Sequence, residues 1–319
     1  MDRNLALEAV RVTEAAALAA ARFMGRGDEI AVDMAAAEAI GRAFRAIPVR
    51  GTVVIGEGTE EDGVPLYEGE TIGGGNGPEL SIAVDAVEGS TACATGGANA
   101  LSVVAISDDS TGGFLRCPPS YMDKIAAGPD GAEVIDLDRS PSDNLKALAD
   151  ARGVYVEDLT VVILDRPRHE KLINEVRRAG ARIRLIPDGD LSAALATTVR
   201  DGGIDLLIGI GGSSQGVLAA AALLCVGGVF QCRFMPSNGE EADRLRGAGL
   251  TDFTRKLGIS DLVRGSVMFA ATGVTTGDFL RGVRFFRGGA TTNSIVMRSR
   301  TRTVRRIESI HRFDFKPEY

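Results

Sequence analysis

Apolar positions recur every three to four residues across 4–24, NLALEAVRVTEAAALAAARFM, and the pattern stops at Gly25 and Gly27. That recurrence predicts a helix packed on one face and closed by glycine. A second helical pattern covers 31–46. Three short apolar runs then predict buried strands: GTVVIGEG (51–58), SIAVDAVEGST (81–91) and ANALSVVAIS (98–107). Between the first two, EGETIGGGNGPE (68–79) reads as a flexible polar loop rather than a phosphate cradle.

From about residue 158 the rhythm becomes regular. Strand patterns at 159–165, 181–186 and 204–210 alternate with helical patterns at 168–179, 190–200 and 215–226, and GGVFQCRF (227–234) follows. Such β-α-β-α order predicts parallel strands with helices packed on the sheet faces. Residues 240–257 read as helix, and SVMFAATG, VRFF, TNSIVMRS and TVRRIESI return to strand patterns. No internal repeat is visible. The predicted class is α/β: an α+β part over 1–150, then an α/β part over 151–319 that includes the returning C-terminal strands. The boundary is expected in SPSDNLKALADARGVYVED, near 139–158.

Composition narrows the function. The 319 residues are 45% hydrophobic and 25% charged, the balance of a globular chain. A net charge of −7 argues against a nucleic-acid surface, which needs clustered Lys and Arg. The locally basic RSRTRTVRR (298–306) alternates like a strand and reads as a solvated sheet face. Cys93, Cys117, Cys225 and Cys232 show no C-x-x-C spacing, and no apolar stretch reaches the length of a membrane span. A reduced, cytoplasmic protein with no nucleic-acid or membrane partner is expected.

Chemistry concentrates where the predicted elements end. Asp33, Glu57, Asp85 and Glu88 each lie at an interruption or end of an apolar pattern. Hard divalent cations such as Mg2+ and Mn2+ take carboxylate oxygens, so these residues form a candidate metal set. Asp85 or Ser90 could equally cap the next helix, and the residues alone leave both readings open. Arg166 and Arg168 flank Pro167 at the carboxyl end of a predicted parallel strand, with His169 reading as an ordinary helix start. The next strand ends in Asp188-Gly189-Asp190, a turn with a helix cap whose acceptors can also hold sugar hydroxyls. In GIGGSSQG (209–216) the dinucleotide pattern G-x-G-x-x-G is broken by Ser214, which makes an NAD enzyme a poor fit.

A crevice collecting these carboxylates and arginines would repel a phosphate dianion by about 4 kcal/mol per charge pair at about 4 Å and an effective dielectric of about 20. Bound cations would have to offset that repulsion. Metal-assisted hydrolysis of a phosphate monoester is the chemistry that fits.

The motifs VVIGEG, AVDAVEGST, YMDKIAAGP, ILDRPRH, ARIRLIPDGD, GIGGSSQGVLAAAAL, FAATGVTTGDFLRGV and TVRRIESIH occur in order over nearly the whole chain. In this the sequence resembles the class II fructose-1,6-bisphosphatases of the lithium-sensitive phosphatase fold. The resemblance implies a layered αβαβα sandwich with its active site between two halves, in a carbohydrate-metabolic, gluconeogenic enzyme. It implies metal binding by Asp33, Glu57, Asp85 and Glu88, with Gln215 at a fifth ligand position. It also implies substrate contacts from Glu88, Gly89, Ser90, Tyr121, Arg166, Pro167, Arg168, Asp188, Gly189, Asp190 and Gly212. Ser90 would orient the attacking water, and Glu57 and Asp62 complete the catalytic group. A homo-oligomer, dimer or tetramer, is expected from the same resemblance.

Departures cluster at that site. The family usually reads D-P-x-[ED]-G-T, whereas this chain has Ala86 and Ser90. Gln215 stands where the family carries a metal-binding glutamate, and Glu29 where it carries a lysine. The acidic stretch after GEG, TEEDGVP, is one residue longer than usual, so that either Glu60 and Asp62 or Thr59 and Glu61 take the family's places; Asp62 is taken as its catalytic carboxylate. The expected activity is hydrolysis of fructose 1,6-bisphosphate to fructose 6-phosphate. Alternatives are a relative acting on another sugar or cyclitol phosphate, and a silent sugar-phosphate binder.

Overall fold

Two Ala-rich helices open the computed structural model, which describes residues 5–109, 113–199 and 202–315 apart from the side chain of Asp62. They are α1 (Leu5–Ala20) and α2 (Glu29–Arg45). There follow β1 (Arg50–Ile55), β2 (Thr71–Ile72), β3 (Glu79–Glu88), α3 (Ser90–Thr95), β4 (Leu101–Ser107) and β5 (Tyr121–Ala127). The middle of the chain forms α4 (Pro141–Arg152), β6 (Thr160–Leu164), α5 (Glu170–Ala179), β7 (Arg182–Ile186), α6 (Asp190–Ala196) and β8 (Leu206–Gly212). Next come α7 (Ser213–Val226), β9 (Val229–Phe234), α8 (Gly239–Gly247), β10 (Leu257–Gly258) and α9 (Ile259–Leu262). The tail supplies β11 (Val267–Gly273), β12 (Arg284–Phe286), β13 (Gly289–Arg298) and β14 (Thr303–Arg312). Helices with mixed sheets bear out the α/β class.

The chain divides into two compact units, 1–114 with 264–319, and 115–263. The boundary expected near 139–158 instead falls inside the second unit, on α4. The reason is that β11 pairs with β4 from Val267↔Ser107 to Gly273↔Leu101, so the tail completes the N-terminal sheet. Periodicity identifies strands but cannot name their partners.

In the first unit the sheet runs β12-β13-β11-β4-β3-β1-β2, with β14 also paired to β13. β1 and β3 are parallel and the other pairs antiparallel. α1 and α2 bury Ala9, Ala16, Ala36 and Ile40 with Ile82, Val104, Met268 and Ala270 of the strands in one core. Small alanines let helix and sheet approach closely, which suits a chain poor in aromatics. Within this contact the Thr13, Thr272 and Ser294 hydroxyls form a buried chain at 2.8 Å spacing. The stretch 68–79, expected to be a flexible loop, is instead pinned: β2 pairs with β1, Gly74 N–H donates to Ile47 O, and a methyl on Gly77 would meet Pro48 O at 2.0 Å. The basic run 298–306 is not one strand face but straddles the turn between β13 and β14.

The second unit's sheet runs β10-β9-β5-β8-β6-β7. As the rhythm predicts, β6 is parallel to β7 and β8. β9 runs in their direction too, but β5 is inserted antiparallel between β8 and β9. α4 and α5 bury Leu145, Leu148, Ile173 and Val176 against alternate residues of β5, β6 and β8. α6 and α7 cover the opposite face, where Met122 and Phe230 meet Gly216. The helix expected over 240–257 is confined to α8, because the chain turns at Gly249 with φ +83°.

Candidate active site

Two irregularities in the first unit's sheet set the positions of its strand-end carboxylates. Asp85 pairs with Val103 but Glu88 with Leu101, so β3 carries one extra residue between them. Side chains alternate across a regular strand, which would send residues three apart to opposite faces. The extra residue restores parity and turns Asp85 and Glu88 to the same side. β1 carries a matching irregularity between Val53 and Ile55, just before Glu57. The extra residue also takes Ala86 out of the β4 register, and its N–H donates to Glu57 Oε1. A proline at 86, which the resemblance leads one to expect, has no N–H and could not make this bond.

Neither Asp85 nor Ser90 is the helix cap. Gly89 occupies the N-cap of α3 at φ +85°, a left-handed conformation that favours glycine, and Ser90 is the first helical residue. Glu88 is buried at the strand end, while Asp85 and Ser90 are partly exposed. Asp33 projects from the second turn of α2, whose N-cap Asp28 accepts from Ala31 N–H. Glu29 sits in the first turn of that helix, where a negative charge meets the positive end of the helix dipole.

Burial, aided by the nearby charge of Asp33, lifts the pKa of Glu57 to about 7 against the opposing Ala86 hydrogen bond. Burial and Asp33 together also push the Cys93 thiol up to about 11. Glu57 thus holds a proton far more readily than an ordinary carboxylate, beside a second carboxylate. Oxygen donors whose mutual repulsion a cation would relieve are what a hard divalent ion takes. Among the described residues no three acidic, histidine or cysteine side chains stand close enough to form a ready metal cage. The donor chemistry fits a divalent metal: the expected carboxylates fall into two pairs, Asp33 acting on Glu57, and Asp85 on the same side of β3 as Glu88. Asp62, the sequence-based choice for a further carboxylate, has its side chain outside the described residues.

The second unit assembles a different set. Tyr121 opens β5 directly opposite Gly212, the last residue of β8. The Arg168 guanidinium stacks over the Tyr121 ring at 5.1 Å and donates from Nη2 to Ile210 O at 2.9 Å. Pro167 begins a 3-10 turn after extended Arg166, whose Nη1 donates to Asp165 O. Arg168 and Tyr121 are thus held together, with Arg166 turned toward its own strand end. Asp188 Oδ1 accepts from Gly189 N–H, and Gly189 at φ +89° caps α6, which starts at Asp190.

His169 is structural, as its helix-start position suggested. Its Nδ1–H donates to Leu164 O at 2.7 Å, and its Nε2 accepts from Ile210 N–H at 2.8 Å. This neutral tautomer joins β6 to β8 beyond their paired residues. Burial first, then the neighbouring Arg168 and Arg166 charges, hold its pKa low.

The glycines of GIGGSSQG serve the chain's own side chains. Gly209 adopts φ +136°, and a methyl there would sit 3.0 Å from His169 Nε2. A methyl on Gly211 would sit 1.9 Å from Asp190 Oδ2, and one on Gly212 2.2 Å from Gln215 Oε1. The space a dinucleotide pyrophosphate would need is filled by this protein's residues, against the NAD reading.

Two residues escaped the sequence reading. Lys124, 2% exposed, donates from Nζ to Gly212 O at 2.9 Å and pairs with Asp190 Oδ2 at 2.6 Å. Its only signal was a charge inside the apolar run of YMDKIAA. Glu241 of α8 is buried, which works to raise its pKa, yet bonds from Ser237, with Ser120 and the Tyr121 backbone, hold it low. It anchors the start of β5 and so the base of Tyr121.

The sequence matches the family model described as bacterial fructose-1,6-bisphosphatase, glpX-encoded, over residues 3–311. A protein of Synechococcus sp. (strain JA-3-3Ab), called D-fructose 1,6-bisphosphatase class 2/sedoheptulose 1,7-bisphosphatase, is 42% identical over 339 aligned positions. These span 98% of this chain and 97% of that protein. A protein of the same description from Synechococcus elongatus (strain ATCC 33912 / PCC 7942 / FACHB-805) is 39% identical, over 98% of each chain. The chain belongs to the glpX-encoded family of bacterial fructose-1,6-bisphosphatases.

Proposed function

We propose that this chain is a divalent-metal-dependent sugar bisphosphatase that hydrolyses fructose 1,6-bisphosphate to fructose 6-phosphate and phosphate. Family membership supports the reaction class, a phosphoric monoester hydrolase, and implies a divalent metal. The observation that carries the reading is the bulged β3. It turns Asp85 and Glu88 to one side and joins the strand to Glu57, a carboxylate that titrates near neutrality beside Asp33.

Asp33, Glu57, Asp85 and Glu88 would hold the cation, Mg2+ or Mn2+, with the Gln215 amide oxygen as a weaker, uncharged ligand. When bound, the metal supplies charge neutralisation for the phosphate and acidifies a bound water. Ser90, at the first turn of α3, orients the attacking water. As its oxygen bonds to phosphorus, the ester P–O bond to the sugar breaks. Asp62, assigned from the resemblance alone, would take the proton the water loses; that proton passes to the departing sugar oxygen, and the water's second proton stays on the phosphate. Arg166, Arg168 and Tyr121 grip the phosphate that is not transferred, and Asp188, Asp190 and the Gly212 backbone take the sugar. Remote binding of this kind positions the reacting phosphate. The protein works in the cytoplasm as a homo-oligomer on this reading.

A second substrate is favoured by a specific observation, since the relatives' name includes sedoheptulose 1,7-bisphosphatase. The test is phosphate release from fructose 1,6-bisphosphate, sedoheptulose 1,7-bisphosphate and the matching monophosphates, with Mg2+, with Mn2+ and after chelation. Metal-dependent release from a bisphosphate is expected. No release with either ion, or undiminished release after chelation, overturns the proposal.

A further inference from the structure

We infer that Lys124 is a positioning residue for sugar-phosphate recognition, acting through Asp190 and the Gly212 carbonyl. The inference rests on the bisphosphatase reading, in which those two groups meet the sugar.

The lysine is enclosed. It lies on the middle of β5, paired across the sheet with Gly209 on one side and Cys232 on the other, and is 2% exposed. Its stem occupies space left by two missing side chains. A methyl on Gly211 would lie 2.9 Å from its Cε and Nζ, and one on Gly216 3.9 Å from its Cδ. Its Nζ reaches two acceptors from different elements, Asp190 Oδ2 at the start of α6 and Gly212 O at the end of β8. Asp190 is itself 6% exposed.

Burying an ion pair is poor value for stability, because desolvating both charges offsets most of their attraction and an apolar pair of similar volume would serve as well. What the pair does supply is a fixed geometry. One ammonium sets the rotamer of the Asp190 carboxylate and the position of the Gly212 carbonyl relative to each other. It also balances the Asp190 charge, which would otherwise repel an anionic sugar phosphate. Lys124 therefore acts on ligand affinity without touching the ligand.

The test is a double-mutant cycle of Lys124→Met and Asp190→Asn, read in KM and kcat for fructose 1,6-bisphosphate and in calorimetric binding of fructose 6-phosphate. Lys124→Met is expected to raise KM and the fructose 6-phosphate Kd by about tenfold or more, with kcat within about threefold of wild type. In the Asp190→Asn background the same change should add less than about twofold, because its target is gone. Unchanged KM and Kd in folded Lys124→Met, or effects that simply multiply, overturn the inference, since a merely structural lysine would alter the folded fraction alone. If Lys124→Met does not fold, Lys124→Gln keeps a neutral donor in the slot and is read by the same criteria. A wild type that binds fructose 6-phosphate but releases no phosphate sinks the bisphosphatase reading while the binding arm still decides on Lys124. A wild type that neither binds nor hydrolyses overturns both.

Discussion

Gly211→Ala is the sharpest perturbation this fold offers. The added methyl would sit 1.9 Å from Asp190 Oδ2 and 2.9 Å from Lys124 Nζ, so the 2.6 Å ion pair must separate or β8 must shift. Both charges are buried, and water cannot easily replace either partner. Overpacking a filled interior costs about 1–3 kcal/mol, and breaking a buried pair costs about 3–5 kcal/mol. Partial separation with local relaxation places the expected loss at about 2–4 kcal/mol. For a unit of this size that corresponds to a melting point lowered by about 6–12 °C. Gly247→Ala is the control, because nothing lies within 4 Å of its methyl position in α8. That change should be neutral or stabilising by up to about 1 kcal/mol. Urea denaturation of both variants beside wild type measures the difference. Equal stability of Gly211→Ala and Gly247→Ala would refute the packing argument, and with it the view that Gly211 is glycine to admit the Lys124–Asp190 pair.

Three further outcomes are expected. The His169 pKa is held below 6.5, so under that pH the unfolded chain binds a proton that the native Nε2, accepting from Ile210 N–H, does not. Stability should therefore fall as pH drops below 6.5, and His169→Asn should flatten that slope in urea titrations at about pH 5.5 and about pH 7.5. Ala86→Pro removes the N–H that donates to Glu57 Oε1 and should cost the metal-free protein about 1–2 kcal/mol; a variant as stable as wild type would show the bond to be inconsequential. Gln215→Glu adds a charged oxygen where the resemblance places a metal ligand, and should lower the half-activating Mn2+ concentration by about threefold to tenfold. An unchanged activation curve would separate residue 215 from the metal.

How far the sequence reaches can be judged residue by residue. The carboxylates at strand ends and the β-α-β-α rhythm were legible because burial periodicity and element termini are local properties. Glu57 and Asp85 were recognisable as unusual acids, but the extra residue in β3 that aligns Asp85 with Glu88 depends on the register against β4, a partner the local pattern does not specify. Arg168 was picked out by its position after β6, and its stacking on Tyr121 could not be, since the two come together only when β5 inserts beside β8. Lys124 was hidden for the opposite reason. It stands beside Asp123 in an otherwise apolar run, a pair that looks like the exposed side of a strand, and only the glycines of another strand reveal that Lys124 points inward. The run at 298–306 misled because alternation continues in the residues while the backbone reverses direction.

The pairing of β4 with β11 also sets an order of events at the ribosome. The second unit is one uninterrupted segment, complete once residue 263 has emerged. The first unit begins earlier and finishes last, since Val103 and Val104 must wait for Ala271 and Ala270, and Thr13 for Thr272. Until then one edge of β4 is unpaired, and the part of α1 that packs on β11 and β13 is uncovered. Domains that close through distant contacts fold slowly and expose apolar surface meanwhile. A nascent chain arrested before residue 264 should thus display a folded second unit tethered to a protease-sensitive N-terminal segment, and release of the last strands should protect both ends of the chain together.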